Sequence, residues 1–152
     1  MKSIIPYLGV AFALLLAGCS VFKPVSKNST ITYNRTGCYG TCPIYELTID
    51  GKGNAVFVGE RFTDKLGTWE KSLNKNTYQN LFKSFEEVRW GDLDAEYPAY
   101  VSDVPSTVFQ YKNKKLEKQV IVTGEHPVEL DELSALLNAI VASEGWTNIS
   151  KD

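Results

Sequence analysis

The period of the apolar positions changes several times along this chain, and each change marks an element. After an apolar run from Ile4 to Leu16, alternation begins at Ile31-Thr32-Tyr33-Asn34-Arg35 and predicts a first strand. Tyr45, Leu47 and Ile49 share one face of a second strand. Asp50-Gly51-Lys52-Gly53 supplies residues that tolerate positive φ, and Ala55 to Val58 returns as a third strand, so a β-hairpin is expected. Leu66 to Leu73 fits a fourth. The period then lengthens to about 3.6: Tyr78, Leu81, Phe82, Phe85 and Val88 fall on one helical face, with Asn74 or Asn76 placed to cap it. A loop from Trp90 to Pro105 leads to strands over Thr107–Tyr111 and Leu116–Thr123, turned at Asn113. Pro127 then opens a helix with Leu130, Leu133, Leu137, Ile140 and Val141 inward, ended by Gly145. The expected order is ββββαββα. Hairpin-connected strands with two helices predict an α+β domain, an antiparallel sheet with both helices packed on one face.

The first apolar run has a different meaning. Lys2 precedes it, Ala17-Gly18-Cys19 closes it, and at about thirteen residues interrupted by Pro6 it is too short to span a bilayer, which takes roughly 20. Leu16-Ala17-Gly18-Cys19 resembles the lipobox of bacterial lipoprotein precursors. The resemblance implies removal of residues 1–18, a diacylglycerol thioether on Cys19 and acylation of the new amino terminus, with several acyl chains giving a stable anchor. Ser20 in place of an inner-membrane retention Asp implies the outer membrane, and the absence of acidic residues just after Cys19 favours its periplasmic face. Residues 19–30, with Pro24, Ser26, Lys27, Asn28 and Ser29, read as lipidated cysteine and flexible tether, and 31–147 as one domain.

Composition narrows the partners. Removing 18 of 152 residues leaves 134, and with 43% hydrophobic and 12% aromatic residues they suffice for a packed core. Loss of Lys2 leaves 15 basic against 18 acidic side chains, a net charge of −3 without basic clusters, so nucleic acid is not an expected partner.

The densest motif is Arg35-Thr36-Gly37-Cys38-Tyr39-Gly40-Thr41-Cys42-Pro43-Ile44-Tyr45, between the first two strands. It resembles a domain family of unknown function found in bacterial lipoproteins and secreted proteins, frequent in Bacteroidota, and Tyr97, Asp103-Val104-Pro105 and Trp146 fit the later layout of that family. The resemblance covers about Thr30 to Trp146 and brings no activity with it. Arg35, Tyr39, Tyr45, Tyr97 and Asp103 are accordingly the candidate binding residues.

With Cys19 lipidated, Cys38 and Cys42 form an even pair in an oxidising compartment, which reads first as a disulfide. The pair also admits a metal reading, because two thiolates with His126, the single histidine, would suit Cu(I). Thiol redox chemistry is a third reading, against which stands the absence of a Cys-x-x-Cys spacing. Otherwise no cofactor is expected. Asp92, Asp94 and Glu96 lack the glycine a calcium loop needs, since Tyr97 occupies its position. Trp69, Trp90, Trp146, Tyr97 and Tyr100 would either floor a glycan or peptide groove or belong to the core. Together these features predict a lipid-anchored periplasmic binding or envelope-assembly module rather than an enzyme, with an envelope protein or glycan as partner. A thiol-redox or copper-handling protein is the alternative.

Overall fold

The computed structural model describes residues 24–151. The signal segment 1–18 and Cys19 lie outside the described residues. Four strands come first: β1 (Thr30–Arg35), β2 (Ile44–Asp50), β3 (Asn54–Arg61) and β4 (Gly67–Ser72). Helix α1 (Lys75–Glu87) follows, then β5 (Glu96–Tyr97), β6 (Thr107–Lys112), β7 (Glu117–Val122), α2 (Val128–Ala142) and β8 (Thr147–Asn148). All eight strands join one sheet in the order β5-β7-β6-β1-β2-β3-β4-β8.

Period-two alternation decides what this sheet buries. Ile31 and Tyr33 of β1, Tyr45, Leu47 and Ile49 of β2, Ala55 and Phe57 of β3, Phe109 and Tyr111 of β6, and Val120 and Val122 of β7 all point to one buried face. The aromatic members meet at tilted angles, with Tyr33 and Phe109 centroids 5.4 Å apart and Tyr45 and Phe57 5.1 Å, and Trp146 joins them 5.9 Å from Phe57. Leu81, Phe82 and Phe85 of α1 and Leu130, Leu133, Leu137 and Ile140 of α2 close the same core. The opposite face carries Thr32 against Thr48 and Gln110 against Gln119, side chains compatible with water.

Local chemistry sets the boundaries. Asp50 Oδ1 accepts hydrogen bonds from the amides of Lys52 and Asn54 at 2.9 and 2.8 Å, fixing the β2–β3 turn. Gly53 there has φ of 90°, and a Cβ would fall 2.5 Å from the Tyr78 ring, so the turn also seats α1. Of the two possible caps, Asn74 is used, its Oδ1 accepting from the Thr77 amide at 2.9 Å. Helix α2 begins with Glu129 and Asp131 in its first turn and ends on lysines: Lys65 donates to Val141 O at 3.2 Å, and Lys71 to Ser143 Oγ at 2.6 Å and to Glu144 O. Both ends therefore suit the helix dipole.

The structure differs from the expectations at several points. The sheet is mixed, because β5 runs parallel to β7, with Glu96 opposite Ile121 and Tyr97 opposite Val122. It also has two more strands than ββββαββα allows: β5, inside the expected 90–105 loop, and β8, which pairs with β4. Two-residue strands carry no periodic signal, so only the pairing reveals them. Helix α2 stops at Ala142 with Ser143 as its C-cap, not at Gly145. Of the expected tether 19–30, the described part packs down: Val25 lies against the core, Ser29 is buried, and Gly51 N donates to Ser29 O at 2.8 Å. Among the described residues, no helix is long and apolar enough to cross a membrane.

Candidate functional site

Antiparallel pairing brings the loops around the cysteine motif to one end of the sheet. Strand β1 ends there at Arg35 and β2 begins there, so the loop 36–43 caps that end; the loops 62–66, 98–106 and 123–127 open on the same side. Thr36 ties two of them together, its amide donating to Ser106 O at 3.0 Å and its Oγ1 accepting from the Ser106 amide at 2.8 Å.

Within the motif loop, Cys38 and Cys42 form a disulfide with their α-carbons 5.7 Å apart. The Gly40 amide donates to Cys38 Sγ at 3.3 Å, closing the loop further. Cross-linking so short a ring removes only about 2 kcal/mol of unfolded-state entropy, so its larger effect is to hold the segment between Arg35 and Tyr45 in one shape. Tyr39 stands on this loop 92% exposed.

Beneath the loop lies a polar cluster within the apolar layer. Arg35 and Tyr45 are cross-strand partners, and Tyr33 lies two residues before Arg35 on the same face. Tyr45 Oη donates to Asn138 Oδ1 at 2.8 Å, and Tyr33 Oη to the same oxygen at 3.4 Å. Arg35 Nη1 reaches Tyr33 Oη at 3.5 Å, a contact at the limit of hydrogen bonding. Burial pushes the Tyr45 hydroxyl pKa well up and the neighbouring Tyr33 adds to it, while the Arg35 charge opposes both. Arg35 Nε is buried with no hydrogen-bond partner, and none of the ion pairs among the described residues includes Arg35. A guanidinium has five donors arranged to grip an oxyanion, so one left this poorly satisfied is short of an acceptor.

The other candidates are distributed differently. Asp103 is exposed in the 98–106 loop with φ of 66°, at the same end as Arg35. Tyr97 belongs to β5, where its Oη accepts from the Asp94 amide at 3.1 Å and its ring centroid lies 6.5 Å from that of His126. His126 Nδ1–H donates to Gly124 O at 2.6 Å, and Nε2 meets Asp131 Oδ1 at 3.0 Å. The sulfurs of Cys38 and Cys42 are thus bonded to each other and both His126 nitrogens face protein oxygens; among the described residues, no three His, Cys, Asp or Glu side chains cluster as a metal site. Of the aromatic residues weighed for a groove, Trp90 is buried, Trp69 and Trp146 are half-buried against the core, and Tyr100 is wholly exposed. A separate cavity of about 570 Å³ lies between α1 and α2, floored by Leu73, Leu81 and Ile140, away from the motif.

Tyr33 and Asn138 were not among the sequence candidates. Alternation would have placed Tyr33 beside Arg35, whereas nothing in the local pattern of α2 marks Asn138, whose partners lie 93 and 105 residues away.

No curated protein matches the chain. Residues 29–141 match a family described as a domain of unknown function, DUF6438, which contains the motif loop, the Arg35 cluster and both helices up to Val141, and the chain belongs to that family.

Proposed function

We propose that this protein is a lipoprotein anchored through Cys19 in the bacterial outer membrane, facing the periplasm, and that its domain is a binding module taking a carboxylate at Arg35. The anchor reading rests on the lipobox resemblance of Leu16-Ala17-Gly18-Cys19. The observation that carries the binding reading is the Arg35 guanidinium, whose Nε is buried without a partner and which has no carboxylate among the described ion pairs. An unpaired buried donor on a charged group costs free energy, and a carboxylate at the terminal guanidinium nitrogens would supply the charge partner that the described ion pairs lack. The disulfide and the Tyr33–Tyr45–Asn138 bonds hold the surrounding backbone in place, so little ordering would accompany binding. The role is binding, with no bond made or broken.

Two measurements test this. Titrating the isotopically labelled domain with sodium acetate, against sodium chloride at equal ionic strength, should move the Arg35 Nε resonance and the amides of residues 36–43 saturably with acetate alone. The acetate response should vanish in Arg35→Gln; equal responses to the two salts would rule out the carboxylate site. For the anchor, Cys19→Ser should shift the protein from membrane to soluble fractions, and an unchanged membrane share would refute lipidation.

A further inference from the structure

Exposed apolar side chains are concentrated at one end of the sheet. Tyr39, Phe62, Leu66, Tyr100, Val101 and Ile149 are all more than 40% exposed and lie in the loops or chain segment at the Arg35 end. Among the described residues, the turns at the other end, around Lys52, Asn74 and Lys114, carry no exposed large apolar residue. The two non-glycine residues with positive φ among the described residues, Phe62 at 57° and Asp103 at 66°, belong to these same loops. Such backbone is strained and persists where the surroundings hold it. Gly59 provides part of that support: a Cβ there would fall 1.8 Å from Lys65 O, so only glycine lets the 62–66 loop fold back on β3.

The chain direction gives this end an orientation. β1 starts at Thr30 beside the β2–β3 turn, at the end opposite Arg35. From Cys19 to Pro24 there are five residue steps, at most about 18 Å of extended chain. Strand β1 alone separates the two ends by roughly 20 Å. A lipid anchor at Cys19 would therefore hold the turn end towards its own membrane and present the apolar loops away from it.

We infer that the loop end is a docking surface for an envelope protein that inserts a carboxylate flanked by apolar side chains, the carboxylate on Arg35 and the apolar groups against Tyr39, Phe62 and Tyr100. This rests on the binding and anchor readings above and adds the partner's class and the side from which it comes. Exposed tyrosine and phenylalanine at the same end of the sheet as an arginine are residue types enriched in protein interface cores. Aliphatic Leu66, Val101 and Ile149 suit protein better than sugar.

The test places the photo-crosslinking residue p-benzoylphenylalanine singly at Tyr39, Phe62 or Tyr100, and at Lys52 or Gln110 as controls, in the full-length protein in its native cell. The three loop positions should give an adduct with the same envelope protein, identified by mass spectrometry. The controls should not, and Arg35→Gln should reduce the adduct at least severalfold at equal protein level. Adducts from Lys52 or Gln110 instead, no adduct from any loop position, or retention of the protein on isolated peptidoglycan sacculi through Tyr39 and Tyr100 would each overturn the inference. Fractionation of the same cells scores the anchor, and the acetate titration scores the Arg35 site, so failure of either reading is seen apart from failure of the surface.

Discussion

Arg35 holds a positive charge half inside the fold with little to balance it, and a residue kept for stability would not be left this way. Replacing it with methionine keeps the length and apolar stem while removing the unsatisfied Nε. Arg35→Met should leave the thermal midpoint unchanged or raise it while abolishing the acetate response. A destabilisation above about 2 kcal/mol would identify Arg35 as a structural group instead. Tyr45 makes a different prediction. Burial raises its pKa in the folded state, so above pH of about 10, where an unfolded tyrosine releases its proton, the unfolded state gains and stability falls. Tyr111, also raised by burial, acts in the same direction. Midpoints measured from pH 7 to 11 should therefore decline at the alkaline end, and less steeply in Tyr45→Phe. An equal decline in the variant would show that Tyr45 does not contribute. At neutral pH the same variant should lose about 1 kcal/mol with the hydrogen bond to Asn138.

Among the elements, the disulfide loop and the helix ends divide the work. Chain entropy gives the Cys38–Cys42 ring about 2 kcal/mol, so the Cys38→Ser, Cys42→Ser double variant should stay folded at room temperature with a lower denaturation midpoint. Its acetate affinity should fall more than its stability, because the loop beside Arg35 loses its fixed shape. Unchanged affinity would mean that the loop does not organise the site. Titration of the native protein with a thiol reagent should find no reactive group at Cys38 or Cys42 before reduction. The capping residue Asn74 is a cleaner local probe: its oxygen satisfies one orphan amide of α1, and Asn74→Ala should cost about 1 kcal/mol.

At the scale of the molecule, one core serves all the elements. Phe57 touches Tyr45 and Trp146 and is wholly buried in a core cluster that strand and helix residues share, so sheet and helices should unfold together. Tryptophan fluorescence and far-ultraviolet circular dichroism should report coincident denaturant transitions, and Phe57→Ala should shift both by about 3 to 5 kcal/mol. Separate transitions would show that α1 and α2 are held independently of the sheet.

What was legible in the sequence follows from the range of each interaction. Six strands, both helices, the hairpins at Gly51-Lys52-Gly53 and Asn113, and the choice of buried face all arise from neighbours within a few positions, which alternation and 3.6-residue spacing record directly. The family resemblance and the Cys38–Cys42 pair were legible too, because the motif is contiguous and the cysteines lie four apart. The parallel β5, the β8 edge, the packing of Val25 and Ser29, and Asn138 as acceptor for two tyrosines were decided only by tertiary structure. Each depends on partners dozens of residues distant, or in the case of Ser29 on a turn formed by another hairpin, and no local period encodes them. The placement of Arg35, the disulfide and the exposed apolar loops at one end has the same origin: single residues scattered from 35 to 149 share that end because antiparallel pairing returns every second connection to the same end of the sheet.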